Sequence, residues 1–138
     1  MEEFMMRRRF GQARIARLAT ITPRDGPHLV PVCFALDRDR IITVVDAKPK
    51  STTSLRRLDN VRANPAVSLL VDHWDEDWTQ LWWVRADGRG AVLDPGAELD
   101  ALLAPLHEKY RDKYGLHPPR GPAIVIDVTR WVGWSASV

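Results

Sequence analysis

One ten-residue segment, residues 48–57, combines four cationic side chains with four hydroxyl groups. The cations are Lys48, Lys50, Arg56 and Arg57, and the hydroxyls belong to Ser51, Thr52, Thr53 and Ser54. The segment lies between a predicted strand end and a predicted helix start, where free backbone N–H groups and the helix dipole favour an anion. The pattern predicts a phosphate cradle for a cofactor or, alternatively, a capped helix with a solvated basic face. It is not a Walker loop, because the Gly-x-x-x-x-Gly-Lys pattern is missing.

Aromatic side chains form the second group of candidates. Four of the six tryptophans are Trp74, Trp78, Trp82 and Trp83, and Trp131 and Trp134 follow near the end of the chain. Adjacent Trp82 and Trp83 on a strand must face opposite sides. One can enter the core, and the other needs a ligand or a subunit as its partner. The pattern is typical of core filling with a dimer interface, or of a flat ring cofactor stacked against one indole.

An acidic segment, residues 72–77, could hold a hard cation through its carboxylate oxygens. The glycine and the distal glutamate of a calcium loop are absent, however, so we predict a solvated loop and no metal site.

Hydrolytic machinery is not evident, and we assign no catalytic residue. The histidines at 28, 73, 107 and 117 are scattered, and no Gly-x-Ser-x-Gly elbow exists. Cys33 lies in an apolar strand and is predicted to be an inert thiol. This lack of acid–base and nucleophilic residues suits a redox enzyme, because an organic cofactor then carries the chemistry.

Composition narrows the function classes further. The 138 residues fit one domain, and 45% hydrophobic with 28% charged residues favours a packed core. A net charge of +2 is too small for nucleic-acid coating. One cysteine cannot form an internal disulfide, and no apolar run is long enough for a membrane span. The beginning of the chain lacks the apolar stretch of an export signal, so we expect a soluble cytoplasmic protein.

Changes in the spacing of hydrophobic residues along the chain predict the helices and strands that position these residues. Asp25-Gly26 indicates a hairpin turn, Asn64-Pro65 ends a helix, and Asp87-Gly88 marks a bulge or bend. Pro31 places its part of a strand at an edge, at a bulge or against a non-protein partner. The predicted helices span residues 3–16, 51–63 and 97–113, and the six strands span residues 18–22, 28–36, 41–45, 66–71, 81–93 and 123–128, with 131–135 as an extension or a short last strand. Together they favour a small antiparallel β-barrel of α+β type.

Four segments carry a resemblance to a known family: Ala16 to Thr20, Asp25 to Val32, the Lys/Arg-rich turn, and Leu58 to Leu69. They resemble the split β-barrel flavin/deazaflavin oxidoreductases, which include the pyridoxamine-phosphate-oxidase-like proteins. Residues 48–53, 72–78 and 81–85 look like the actinobacterial branch that uses the deazaflavin coenzyme F-420. The resemblance implies a PNPOx-like FMN-binding split barrel with six strands and flanking helices, as a single domain over residues 1–138.

The resemblance also implies a homodimer with two cofactor sites at the subunit interface. The cofactor phosphate would contact basic and hydroxyl side chains, here Lys48, Lys50, Ser51, Thr52, Arg56 and Arg57. The ring would lie against the second-strand backbone near Pro31, Val32 and Cys33. Trp82, Trp83, Trp131 or Trp134 of the other subunit would close the ring pocket.

The implied activity is hydride transfer between coenzyme F-420 and a small electron-poor organic acceptor. One alternative is an FMN-binding oxidase or reductase of the pyridoxamine-phosphate-oxidase type. Another is a non-catalytic carrier of a flavin or deazaflavin.

Overall fold

Antiparallel strands dominate the structure, a computed structural model that describes residues 1–45 and 52–137. Seven strands lie in these residues: β1 (Ala16–Thr22), β2 (Gly26–Val32), β3 (Ala35–Asp37), β4 (Arg40–Val44), β5 (Ala66–His73), β6 (Trp82–Leu93) and β7 (Ala123–Ser135). They form one sheet in the order β2-β1-β5-β6-β7-β4-β3, and every pairing is antiparallel. The α+β class with an antiparallel sheet is therefore confirmed.

The helices of the described residues are α1 (Glu3–Gln12), α2 (Thr52–Ala63), α3 (Ala97–Lys109) and α4 (Arg111–Tyr114), with a 3-10 turn at Trp78–Gln80. Helix α1 is shorter than predicted, because Ala13 is already extended. The helix predicted over 97–113 is divided at Tyr110, whose φ of −111° and ψ of 25° leave the helical region. None of the described helices has the length and apolar character needed to cross a bilayer.

The predicted six-stranded barrel differs from the structure, in which the described residues form seven strands in one open sheet. The strand predicted over 28–36 is divided at Cys33 and Phe34, whose backbone groups bond to side chains instead of a strand. The Thr43 hydroxyl donates to the Cys33 carbonyl at 2.8 Å, and the Phe34 N–H donates to the Tyr110 hydroxyl at 3.1 Å. Strands β2 and β3 are consequently the two edges of an open sheet in the described part of the chain.

The strand predicted over 81–93 is continuous, with a bulge between Asp87 and Gly88 against β7. Gly88 is required there, because a Cβ atom would overlap the carbonyl oxygen of Asp127. Strand β7 runs through Ser135, so the predicted extension over 131–135 is confirmed.

Two apolar clusters stabilise the sheet. In the larger one, α1 inserts Phe10 against Phe34 and Trp131, with ring centroids 4.9 and 5.2 Å apart, and α2 contributes Leu58 and Val61. In the smaller one, leucines of α3 pack on β3, β4 and β7. Ile41 and Ile42 are neighbours on β4 and enter the larger and the smaller cluster, respectively, so α1 and α2 pack on one side of the sheet and α3 packs on the other. The side of β2, β1 and β5 that faces away from α2 stays largely exposed.

Tyr110 connects the division between β2 and β3 to the C-terminal end of α3. Its hydroxyl accepts from the Phe34 N–H and donates to the Arg14 carbonyl at 2.9 Å. The Arg14 guanidinium lies 4.7 Å from the Tyr110 ring centroid and donates to the Lys109 carbonyl at 2.8 Å. These reciprocal contacts fix the position of residues 33 and 34.

Lys109 lies beside Phe34, in an environment that disfavours the charge of its ammonium group. Its Nζ lies 3.8 Å from the Phe34 ring centroid and is buried without a hydrogen-bond partner among the described residues. Burial, reinforced by the nearby Arg14 charge, lowers the pKa of the Lys109 ammonium to about 8. The folded protein therefore releases this proton at lower pH than the unfolded chain, where an unperturbed lysine has a pKa of about 10.4.

We expect the free energy of unfolding to rise as the pH is raised from about 8 to 9.5, because the unfolded state then binds more protons than the native state. Replacing the ammonium, as in Lys109→Met, should abolish this rise and increase stability at pH 7 by about 1 kcal/mol. Urea unfolding at pH 7, 8.5 and 9.5 measures both effects. Lys113→Met, at an exposed position of α4, is the control and should keep the wild-type slope. An undiminished slope in Lys109→Met would contradict this account.

Candidate functional site

Helix α2 lies beside the hairpin formed by β1 and β2. The Asn60 amide donates to the buried Thr20 hydroxyl at 3.0 Å, which places the helix over β1. Arg56 lies 4.0 Å from Asp25 in the hairpin turn, an exposed ion pair that contributes little to stability. The helix that follows the predicted phosphate cradle is thus positioned against residues 20–28.

Arg57 projects from the same face of α2 as Asn60, three residues earlier. Its side chain is partly buried, and its Nε atom has no hydrogen-bond partner in residues 1–45 and 52–137. Burial lowers the pKa of the guanidinium from its ordinary value, yet an arginine remains charged at neutral pH. A buried charged donor without an acceptor is costly, and an anionic oxygen would satisfy it.

His28 is a second polar side chain in this region with an unsatisfied atom. It pairs across the hairpin with Thr20, the residue that Asn60 contacts. Its Nδ1 atom is buried and has no partner in the described part of the chain. Sequence reasoning missed His28 as a site residue. In the structure Pro27 and Leu29 on either side of it are exposed, so strand alternation directs His28 toward the α2 side of the sheet.

Part of the predicted cradle lies outside the described residues. Lys48, Lys50 and Ser51 lie outside the described residues, and Thr52 is described as the first residue of α2. Of the predicted phosphate contacts, Arg56 and Arg57 are therefore the ones with described side chains.

The predicted ring contacts lie at the other end of β2. Pro31 is exposed, Val32 is buried in the larger core, and Cys33 is exposed. Strand β2 pairs with β1 and has no second strand neighbour among the described residues, which confirms the edge position predicted from Pro31. Because the side chain of Val32 is in the core, this residue could offer a cofactor little more than its backbone.

The outer side of the sheet presents an apolar groove. Strand registers align Pro31, Arg17, Leu70 and Arg85 in one row, and Leu29, Ala19, Ser68 and Asp87 in the next. All of these residues except Pro31 and Asp87 line a groove of about 620 Å³, together with Asp72 and Trp83. Leu29 is 66% exposed there, which is unusual for a large apolar residue on a sheet.

Charges on this outer side are paired within the chain. Arg17 bonds to Asp72 at 3.2 Å, and Arg85 contacts both carboxylate oxygens of Asp87 at 2.8 and 3.0 Å. Burial would raise the pKa of Asp87, but hydrogen bonds from Arg85 and Ser68 outweigh it and hold that pKa below its ordinary value. The groove is therefore apolar between neutralised pairs, a composition suited to contact with another molecular surface.

Trp82 and Trp83 face opposite sides of β6, as predicted. Trp82 packs against the larger core, with the Arg9 guanidinium 5.1 Å and the His73 ring 5.9 Å from its indole. Trp83 lines the outer groove. Of the two, Trp83 has the more accessible position for a second subunit or a ligand.

The acidic segment shapes the loop between β5 and β6. Asp77 accepts from the N–H and hydroxyl of Thr79, and these bonds lower the pKa of its carboxyl. Asp75 accepts from the Asp77 N–H at 2.8 Å. No group of three His, Cys, Asp or Glu side chains in the described residues is arranged to hold a metal ion. The loop presents Trp74 and Trp78 to solvent with their ring centroids 6.4 Å apart.

Solved structures share this arrangement of strands and helices. A conserved hypothetical protein from Mycobacterium tuberculosis is 21% identical, with a TM-score of 0.75 over 99% of this chain and 86% of that protein. A FAD-binding protein from Mesorhizobium loti is 19% identical, with a TM-score of 0.69 over 96% and 92% of the two chains. A FAD-binding protein from Mycobacterium smegmatis is 16% identical, with a TM-score of 0.64 over 97% and 94%. At these identities the likeness shows the fold.

Sequence comparison identifies the family. None of the curated proteins is significantly similar to this chain. Residues 5–135, in contrast, match the family model of pyridoxamine 5'-phosphate oxidase from α1 to the end of β7. This chain therefore belongs to the pyridoxamine 5'-phosphate oxidase family.

Proposed function

We propose that the protein is a single-domain, homodimeric oxidoreductase that holds a tricyclic flavin-type cofactor and transfers a hydride to a small electron-poor organic acceptor. Family membership supports an oxidoreductase. The FAD-binding proteins of the same fold support a flavin-type cofactor. The observation that carries the proposal is the buried Arg57 Nε without a partner on the helix that follows the cationic segment.

The residues present fit the phosphate of such a cofactor. The Arg57 Nε and the His28 Nδ1 are both buried and unsatisfied in the described residues, on two elements linked through Asn60 and Thr20. A guanidinium and an imidazole that donates from Nδ1 form charge-assisted or neutral hydrogen bonds with phosphate oxygens. Without an anion, both donors would remain desolvated at a cost of about 1–3 kcal/mol each.

The finer proposal is that the cofactor is the deazaflavin coenzyme F-420. Lys48 and Lys50 add two cations to Arg56 and Arg57, and four positive charges exceed what one phosphate requires. The acidic tail of coenzyme F-420 would pair with the positive charges that the phosphate does not need. FMN is the alternative, supported by the flavin-type cofactors of proteins with this fold.

The chain's residues would bind and orient the cofactor rather than react with it. When bound, the cofactor supplies the hydride through its reduced ring. Arg57 and His28 would bind the anionic end, and the β2 edge at Pro31 and Cys33 would direct the ring end. Trp83 of a second subunit would exclude water from the ring. The proton that completes reduction would come from solvent, since no side chain is assigned to donate it.

The outer groove supports the homodimer. Leu29, Ile21 and Leu70 are exposed apolar side chains on adjacent strands of one sheet surface. Their charged neighbours Arg17 and Arg85 are already paired, so covering this surface with a second copy would leave few charges unsatisfied. A two-fold axis through the surface would bring each groove against its own counterpart.

Arg57→Gln should weaken cofactor binding about tenfold or more, since it removes a charge-assisted hydrogen bond worth about 1.5–3 kcal/mol. Fluorescence titration with FMN and, separately, with coenzyme F-420 measures the affinity of each. The matched control is Arg62→Gln on an exposed part of α2, which should bind like wild type. Equal affinities of the two variants would place the cradle elsewhere.

The same titrations decide the cofactor, because the proposal expects the wild-type protein to prefer coenzyme F-420 to FMN. With the reduced cofactor supplied in excess as the hydride donor, steady reduction of added activated alkenes, imines or quinones is expected of an enzyme. Tight binding without turnover would contradict the enzymatic proposal and support a carrier.

Leu29→Glu should convert the dimer to a monomer, because it places a charge in the apolar groove of both subunits. Light scattering coupled to size-exclusion chromatography measures the mass. Leu116→Glu, at a site 92% exposed in the loop before β7, should leave the dimer intact. A monomeric wild-type protein, or a Leu29→Glu dimer as stable as wild type, would overturn the homodimer proposal.

A further inference from the structure

A second groove, unrelated to the outer surface of the sheet, lies between α1 and the end of β7. Its volume is about 550 Å³, in the range of small-molecule sites. The lining residues are Met1, Glu2, Phe4, Met5, Arg9, Ser135 and Ser137. Phe4 is 62% exposed here, so the groove has an apolar wall that nothing in the described chain covers.

Arg9 is the cationic side chain among the residues that line this groove, and its hydrogen bonds are incomplete. The guanidinium lies over the Trp82 indole, 5.1 Å from the ring centroid, and makes a cation–π contact through one face. Its Nη1 atom is buried and has no hydrogen-bond partner among the residues that the structure describes. A charged donor in this state needs an acceptor that the described chain does not provide.

The polar atoms around Arg9 are otherwise engaged. The Ser135 hydroxyl donates to the Ser137 carbonyl at 2.6 Å, and the Ser137 hydroxyl donates to the Thr79 carbonyl. The Ala136 N–H donates to the Leu81 carbonyl at 2.9 Å. Among the side chains that line the groove in the described residues, Arg9 thus keeps a donor for a ligand, next to the apolar side chains of Met5 and Phe4.

We propose that this groove binds an amphipathic carboxylate, with the carboxylate on Arg9 and the aliphatic portion on Met5 and Phe4. The unbranched Met side chains adapt to a flexible aliphatic chain. A monoanion suits the groove better than a phosphate, because the exposed Glu2 carboxylate on its rim offsets part of the positive potential. This site is independent of the proposed flavin-type cofactor.

The test is titration of the full-length protein with decanoate in the absence of cofactor, followed by tryptophan fluorescence and calorimetry. Decanoate should bind saturably at one site per chain and perturb Trp82 emission. Arg9→Gln should weaken binding at least tenfold. Arg8→Gln, at the exposed neighbouring position of α1, should bind like wild type. Decan-1-ol and decyl phosphate should each bind more weakly than decanoate.

Several outcomes would overturn the proposal: no saturable binding of decanoate, equal binding by Arg9→Gln and wild type, or equal binding of decanol. If Arg9→Gln fails to fold, Phe4→Ser provides the test, because an exposed residue can be replaced with little effect on the thermal midpoint. Phe4→Ser should then weaken decanoate binding at an unchanged melting temperature. Unchanged affinity in that variant would equally refute the site.

Discussion

The hydrogen bonds at Cys33 and Phe34 determine much of this architecture. Thr43 and Tyr110 satisfy backbone groups that would otherwise pair with a neighbouring strand. The chain therefore stops being a strand between β2 and β3, and the sheet stays open there. An edge at β2 follows, and an edge strand can accept Pro31 and lie against a non-protein partner. Lys109 beside Phe34 shows that this arrangement holds a charge where burial disfavours it.

Ion pairing separates the surfaces of the protein into two kinds. On the outer groove, Arg17 and Arg85 have carboxylate partners within the chain. Arg57 and Arg9 instead each keep a buried nitrogen without a partner in the described residues. A surface whose charges are neutralised can be covered by another apolar surface at little cost, whereas an unsatisfied buried guanidinium favours an anion. Paired arginines thus support the proposed subunit contact, and unpaired buried arginine nitrogens support the proposed ligands.

The sequence predicted those structural features that neighbouring residues determine. Asn64-Pro65 ends α2, Asp25-Gly26 lies in the β1–β2 turn, and strand alternation separates Trp82 from Trp83. The division at Cys33 and Phe34 was not predictable in this way, because Phe34 bonds to Tyr110, which lies 76 residues further along the chain. The role proposed for His28 likewise depends on where α2 packs, and the apolar residues that flank His28 in the sequence do not reveal this tertiary contact.

In the proposed cofactor site, β2 separates the residues for the phosphate from the residues for the ring by a distance that one cofactor can span. His28 and Pro31 are three residues apart, about 10 Å in an extended strand, and Cys33 lies two residues further. His28 points to the α2 side of the sheet and Pro31 to the outer side, so a molecule with its phosphate near Arg57 and its ring at Cys33 would pass around the free edge of β2. Its anionic end would meet unsatisfied donors, while its ring would reach a part of the chain that Tyr110 has already fixed. Binding there would require little ordering of β2, and this preorganisation lowers the entropic cost of holding a ring in one orientation.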